Sequence, residues 1–257
     1  MTDTGRATYV YGIVPASDPI DIEAGGVGRE PSEVRRIALD GIAALVSDVP
    51  HGALVAARDL RAHLSVLEEA ATRTTVLPVR LGTVMESDAA VVEQFLAPNA
   101  DGLAALLAEL KGKVQLNVKG FYNEERLLRE IVRETPAVAR LRERTQRLPG
   151  AGSYYERIQL GELVAGEIDR RRAHDTEVVV DRLQPFAEAA RAEPPTTQNG
   201  AVNAAFLVRR DRVDEFSRAV ERLATELEDR IGIRYIGPLP PYSFTDGHAM
   251  MDGGAWG

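Results

Sequence analysis

The chain has no cysteine among its 257 residues. That excludes a disulfide framework, a thiolate zinc site and a cysteine nucleophile. No run approaches the ~18 apolar residues that read as a membrane span. The opening stretch "MTDTGRATYVYGIVPASDP" lacks a basic region followed by a long apolar core, so no signal peptide is expected and the expected place is the cytoplasm. Lysine is scarce: Lys111, Lys113 and Lys119 are the only three. Phosphate-binding and catalytic signatures are missing too. There is no G-x-x-x-x-G-K-[ST] loop and no G-x-S-x-G elbow. The four histidines, His51, His63, His174 and His248, form no H-x-H or H-E-x-x-H arrangement. Neither a metal nor a cofactor is expected.

What is present describes a globular protein. Hydrophobic residues are 44% and charged residues 27% of the chain, a mixture that can form a core. The net charge of −8 is unevenly spread. Residues 1–110 hold 8 arginines against 16 acids, while residues 111–257 hold 23 of each sign. An acidic first half argues against nucleic-acid binding, which depends on neutralising phosphates.

Periodicity divides the chain in two. "ATYVYGIVP" (7–15) reads as a central strand, apolar on both faces. A turn-rich loop follows over 16–32. "EVRRIAL" (33–39) and "IAALVSDV" (42–49) read as a hairpin closed by Asp40-Gly41. Asp59 is expected to cap a helix over 60–73 that buries Leu60, Leu64 and Leu67. "TTVLPVRLGTV" (74–84) reads as one strand, Ser87 as the cap of a helix over 88–96, and Pro98 as the start of another. The first half is therefore close to a split βαβ pattern.

In the second half, Val114, Leu116 and Val118 alternate with Gln115, Asn117 and Lys119, the mark of a strand with one wet face. Helices are expected over 123–134, with Leu127, Leu128, Ile131 and Val132 buried, then from Pro136 to about 147, and from Ser153 onward. "LPGAG" (148–152) reads as a break, and "GAGS" (150–153) as a helix-starting linker. "FAEAARAE" (186–193) and "AVNAAFLVRR" (201–210) read as strands. Asp211 is expected to cap a helix carrying Val213, Phe216, Val220, Leu223 and Leu227, and "GIRYIG" (232–237) is the final strand. The expected fold is α/β of the α+β type: two domains with modified ferredoxin-like elements, antiparallel sheets packed by helices. The boundaries are 1–110 and 111–237, followed by a Pro/aromatic strap and tail over 238–257.

Four features invite a functional reading. His63 sits beside the Leu60/Leu64 face, as a partner contact or a packed, hydrogen-bonded histidine. Arg80, between Val79 and Leu81, needs a carboxylate or carbonyl partner if buried. Either a structural ion pair or a ligand contact would serve. Arg126, Arg129 and Arg133 share one helix face, as do Arg140, Arg144 and Arg147. Such a stripe can meet an acidic partner, or it can be a wet face with local Arg–Glu pairs. "GPLPPYSF" (237–244) is the fourth. Its prolines suit neither a helix nor a sheet interior, so it reads as a polyproline-like segment. Pro238 would stop the last strand, Pro240 and Pro241 would stiffen the crossing, and Tyr242 and Phe244 would anchor a strap between the domains. The segment could instead be a docking motif. "GGVG" (25–28) reads as a flexible turn.

Together, "YVYGIVP", "IAALVSDVP", "TVLPVRLGTVM", "KGKVQLNVKGFYNEERLL", "NAAFLV" and "RYIGPLPPYSF", in this order, resemble the gas vesicle protein L/F (GvpL/GvpF) family. The resemblance runs from Tyr9 to Phe244. It departs at Leu81 and Leu239, where an aromatic is expected, and at Ser243, where asparagine is. It implies a non-enzymatic accessory protein that binds the small hydrophobic shell protein, or other accessory proteins, during vesicle nucleation or growth, and that can remain as a minor vesicle component. Such a shell subunit exposes apolar surface and aggregates when unassembled. A charged adaptor could cover that surface and keep it in solution. A ligand-binding regulator on a ferredoxin-like sheet is the alternative. An enzyme built around Arg80, His63 and nearby acids would require those groups to converge in one cleft.

Overall fold

The computed structural model describes residues 5–30, 32–52, 57–147 and 154–245. The "LPGAG" break, the "GAGS" linker and the tail beyond residue 245 lie outside the described residues. The chain forms two compact units, residues 1–115 with 237–257, and residues 116–236.

The first unit is built on β1 (Arg6–Pro15), β2 (Arg35–Leu39) and β3 (Ile42–Pro50), followed by α1 (Ala57–Arg73), β4 (Leu77–Pro78), β5 (Val84–Met85), α2 (Asp88–Ala90) and α3 (Ala100–Glu109). β1 pairs antiparallel with β3 from Arg6↔Pro50 to Pro15↔Ile42, with a register shift between Val10 and Gly12. Asp40 and Gly41 both take positive φ, 44° and 92°, the geometry a two-residue hairpin needs to match strand twist. The strand order is β2-β3-β1, with β4 and β5 both against the far side of β1. β1 is central and buried on both faces. On one face, Tyr9, Tyr11 and Val14 join Val66, Leu67 and Ala70 of α1 in a single core cluster. α3 packs on β1 and β3, with Leu103, Leu106 and Leu107 buried. Each such side chain contributes about 1.5–3 kcal/mol of burial. Ser87 caps α2, accepting from the Ala90 N–H at 3.2 Å.

Three local expectations are corrected here. The stretch 74–84 is two short strands, not one. The chain leaves the sheet at Arg80, turns at Gly82 with φ +94°, and returns where Thr83 O accepts from Val10 N. Asp59 lies inside the first turn of α1. Its carboxylate accepts the Gly28 N–H of the 16–34 loop at 3.0 Å, so it ties down the loop. The buried face of α1 runs through His63, Val66, Leu67, Ala70 and Ala71, leaving Leu60 at 44% exposure one turn before it begins.

The second unit contains β6 (Lys113–Tyr122), whose first three residues count with the first unit. It continues through α4 (Glu124–Glu134), α5 (Pro136–Arg147), α6 (Tyr154–Leu183), β7 (Ala189–Ala192), β8 (Gly200–Arg209), α7 (Val213–Leu227) and β9 (Ile231–Leu239). The order is β7-β8-β6-β9. β8 lies between β6 and β7, and β6 between β8 and β9, the interleaving of a split βαβ fold. The first unit repeats that order, with the 16–34 loop standing where the first crossover helix would be. Phe206 of β8 and Phe216 of α7 meet at 5.1 Å between ring centres in the core.

Asn123 caps α4 by accepting from Arg126 N at 3.1 Å. Leu127 and Ile131 are buried, but Leu128 is 38% exposed. "EVVVDRL" continues α6 as helix, burying Val179 and Leu183. Asp211 does not cap α7. The helix starts at Val213 without a side-chain cap, and the Asp211 carboxylate is taken by Arg209 at 2.6 Å. Pro238 does not end β9, which runs on to Leu239. β9 is an edge strand, where a missing N–H breaks no ladder. The Gly237–Pro238 bond is cis.

Candidate functional site

β1 places two tyrosines, Tyr9 and Tyr11, in the α1-side core of the first unit. A buried phenol needs a hydrogen-bond partner, and each hydroxyl finds one while holding a loop. Tyr9 Oη lies 3.0 Å from His63 Nδ1 and accepts the Gly82 N–H at 3.1 Å. Tyr11 Oη lies 2.7 Å from Ser47 Oγ and accepts the Val27 N–H at 2.8 Å. His63 is buried between the two rings, edge-on to Tyr9 and stacked on Tyr11. Burial draws its pKa down to about 4, against a smaller opposing effect of its bond to the Val79 backbone. The ring is therefore neutral near pH 7: one nitrogen donates to the Val79 carbonyl and Nδ1 accepts from Tyr9. Burial pushes the Tyr9 phenol up to about 12 and raises that of Tyr11.

His63 is thus the packed, hydrogen-bonded histidine, not a surface contact. Arg80 is exposed on the loop that Tyr9 and His63 hold, and its carbonyl accepts from Thr83 N and Oγ1 at 3.2 and 2.9 Å. The two residues do not converge on one cleft. The "GGVG" turn is pinned rather than flexible. Val27 and Gly28 donate to Tyr11 and Asp59, and a Cβ on Gly26 would stand 2.7 Å from both Ser32 O and Ser47 Oγ. Beside this loop opens a cleft of about 710 Å³ lined in part by Arg6, Asp48, His51, Arg58 and Asp59. Arg6 pairs with Asp48 at 3.2 Å and Arg58 lies 3.7 Å from Asp59.

The C-terminal segment belongs to the first unit from Gly237 onward. After Pro240 and Pro241 the chain coils into a 3₁₀ turn, Tyr242–Phe244, instead of continuing as polyproline helix. Tyr242 N donates to Pro240 O and Phe244 N to Pro241 O. The Tyr242 ring packs on the same core cluster as Tyr9 and Tyr11. Its hydroxyl is buried without a hydrogen-bond partner among the described residues, and burial pushes its pKa up to about 12. Gln115 explains how the turn is gripped. It is 2% exposed, although its place in the alternation assigns it to a wet face. Its Oε1 accepts the Ser243 N–H at 2.7 Å and its Nε2 donates to Ser243 Oγ at 3.2 Å.

In the second unit the arginine stripe is locally neutralised. Arg126 pairs with Glu130 and Asp229, Arg129 with Glu125, and Arg133 with Glu134. Hydrogen bonds from Arg133 and Arg171 hold Glu134 down at about 2. A group that sequence reasoning missed is Asp175, buried in α6. It accepts from Tyr122 Oη at 2.6 Å and pairs with Arg230. Its neighbour Arg172 donates to Gly200 O at 2.8 Å. Among the described residues, no group of three or more His, Cys, Asp or Glu could hold a metal ion. No helix among them is long and apolar enough to cross a membrane.

Comparison with known proteins places these features in context. The sequence model of the family described as gas vesicle synthesis protein GvpL/GvpF matches residues 7–246. Gas vesicle protein F of Streptomyces sp. (strain CB03234) is 37% identical over 243 residues, covering 93% of this chain and 100% of that protein. The crystal structure of GvpF from Anabaena sp. PCC7120 superposes with a TM-score of 0.77 at 29% identity, over 93% of this chain and 97% of that one. GvpF from Microcystis aeruginosa gives 0.73 at 30% identity, over 93% and 98%.

Proposed function

The chain belongs to the gas vesicle synthesis protein GvpL/GvpF family, and on that premise we propose that it is a non-enzymatic accessory protein of gas vesicle formation. In this reading it binds the hydrophobic shell protein, or other accessory proteins, while a vesicle nucleates or grows. It works in the cytoplasm and at the vesicle. The observation that carries the reading is the match in both sequence and fold along almost the whole chain. The engagement of both His63 nitrogens inside the core supports a structural rather than a catalytic part for that residue.

The C-terminal segment has a definite part in this proposal. The chain returns to the first unit at Gly237, and Tyr242, partly buried, packs against its core. That burial supports a strap, with Pro238, Pro240 and Pro241 setting the path, over a free docking motif. Arg80 and Phe244 are kept as candidate contacts.

The test is co-expression with the major gas vesicle shell protein, followed by affinity capture of this chain from the soluble fraction. A stoichiometric soluble complex is the expected result. Shell protein that stays equally insoluble with and without this chain would count against direct chaperoning.

A further inference from the structure

The first half of α6 is built differently from the second. Of the buried residues in the helix, Asp175, Val179 and Leu183 fall in its second half and Glu167 lies just before its midpoint, so its first three turns bury none. Tyr154, Tyr155 and Ile158 are 63%, 82% and 45% exposed. Along this outer face Tyr154, Ile158, Gly161, Ala165 and Ile168 follow one another at alternating spacings of four and three. That is the a/d seam of a coiled coil over two heptads. Gly161 on the seam, and Gly166 beside Ala165, weaken a helix relative to alanine. An added Cβ at either would meet nothing within 4 Å, so no contact inside the chain requires them to be small. A small residue on an exposed seam lets another helix approach closely. At its far end the seam opens into a cavity of about 290 Å³, whose lining includes Tyr122, Leu127, Leu128 and Ile168.

We propose that this face docks an amphipathic helix of a partner protein, one with an apolar seam and basic residues along the edge that meets Glu162 and Asp169. Charge and geometry select that occupant. Tyr155, Glu162 and Asp169 line one edge of the seam; Asp169 pairs with Arg172 at 3.1 Å while staying 72% exposed, and Glu162 is the acid at the middle of that edge. Two copies of this chain paired antiparallel would bring Glu162 against Glu162. Parallel pairing is obstructed, because at the next seam position Arg172 is bonded to the Gln198 and Gly200 carbonyls, which close that end. A separate helix meets neither obstacle. An apolar side chain near its end enters the cavity between Leu128 and Ile168 as an anchor.

The proposal rests on the assembly-factor reading. Shell-protein capture tests that reading, whereas a model helix tests this face, so the two can fail separately. The probe is a fluorescent three-heptad synthetic helix with a leucine/alanine seam and lysine at its edge positions. A counterpart carries glutamate at the same edges. Anisotropy with the full chain should give a Kd on the order of 10 μM for the lysine helix and at least about tenfold weaker binding for the glutamate helix. Ile158→Glu and Gly161→Arg should each weaken the lysine helix by about tenfold or more, with an unchanged circular dichroism melt. Equal binding by parent and variants, equal binding of both helices, or no binding would overturn the proposal. So would a sedimenting dimer of the parent chain that Ile158→Glu abolishes, since it would make a second copy the occupant.

Discussion

Replacing Tyr242 by phenylalanine should stabilise the protein, and replacing it by alanine should destabilise it. The ring packs on the core cluster of the first unit, while its hydroxyl is buried without a hydrogen-bond partner among the described residues. A buried unsatisfied hydroxyl costs about 1–3 kcal/mol. Phenylalanine keeps the ring and removes that cost, for an expected gain of about 1 kcal/mol, or roughly 2–4 °C in Tm. Alanine removes the ring. Loss of a well-buried aromatic costs about 3–5 kcal/mol, and for this partly buried one the lower end applies, about 3 kcal/mol. The pH dependence gives an independent check. Burial raises the folded phenol to about 12 from 10, so the protonated form is favoured in the fold. Its stabilisation is complete below pH 10 and is lost as pH rises toward 12. Urea midpoints should fall across that window, less steeply for Tyr242→Phe than for the parent. A Tyr242→Phe variant that loses 1 kcal/mol or more would refute the reasoning, because the hydroxyl would then have a partner worth keeping.

Three further outcomes follow from the same structure. His63 is held neutral with its pKa drawn down to about 4 from 6.5. Its stabilisation is complete above pH 6.5 and is lost as pH falls through 4. His63→Phe should cost about 1–2 kcal/mol at pH 7 by removing its bonds to Tyr9 and Val79, and should flatten the acid limb of a urea-midpoint titration. Asp175→Ala would strand Arg230 and the Tyr122 hydroxyl, and a loss of about 3–5 kcal/mol in denaturant unfolding is expected. Gly26→Ala forces a Cβ to within 2.7 Å of Ser32 O and Ser47 Oγ, which should lower stability by about 1–3 kcal/mol in the same assay.

The strands were the most legible part of the sequence. β1, β3 and β8 are long apolar runs buried over most of their length, and the Asp40-Gly41 turn closes its hairpin as its chemistry requires. What stayed hidden depended on partners distant in sequence. Nothing local to residues 74–84 shows that Tyr9 and His63, more than ten residues away, hold an excursion there. Gln115 looks like a wet-face residue until Ser243, 128 positions later, takes its amide. Asp175 sits in "RRRAHDTEVVV", which reads as a solvated stretch, yet the helix turns that one acid inward toward Tyr122. One signal was available. Two tyrosines two apart in an otherwise apolar central strand share a face, and their buried hydroxyls demand polar partners. His63 and Ser47 are those partners. For the candidate interaction residues, the sequence marked Tyr242 as an anchor but not the turn that seats it.

The two units share a strand order and differ in how the first crossover is made, and that difference explains much of the polar architecture. A helical crossover satisfies its own backbone. The 16–34 loop cannot, so its groups must be met from outside. α1 and β1 meet them. Glu69 accepts the Glu23 and Ala24 N–H groups at 2.9 Å, Asp59 that of Gly28, and Tyr11 that of Val27, while Arg73 donates to Asp21 O. The loop in turn gives Ile20, Val27 and Val34 to the core. Asp59, Glu69 and Arg73 of α1 are therefore committed to the loop, and Asp59 is unavailable as a cap for that reason. In the second unit α4, α5 and α6 make the crossover with their own hydrogen bonds. The first half of α6 turns Leu160, Leu163 and Val164 toward its own unit and pairs Glu156 with Arg144, while Tyr154, Ile158 and Gly161 stay exposed and free to serve a contact outside the chain.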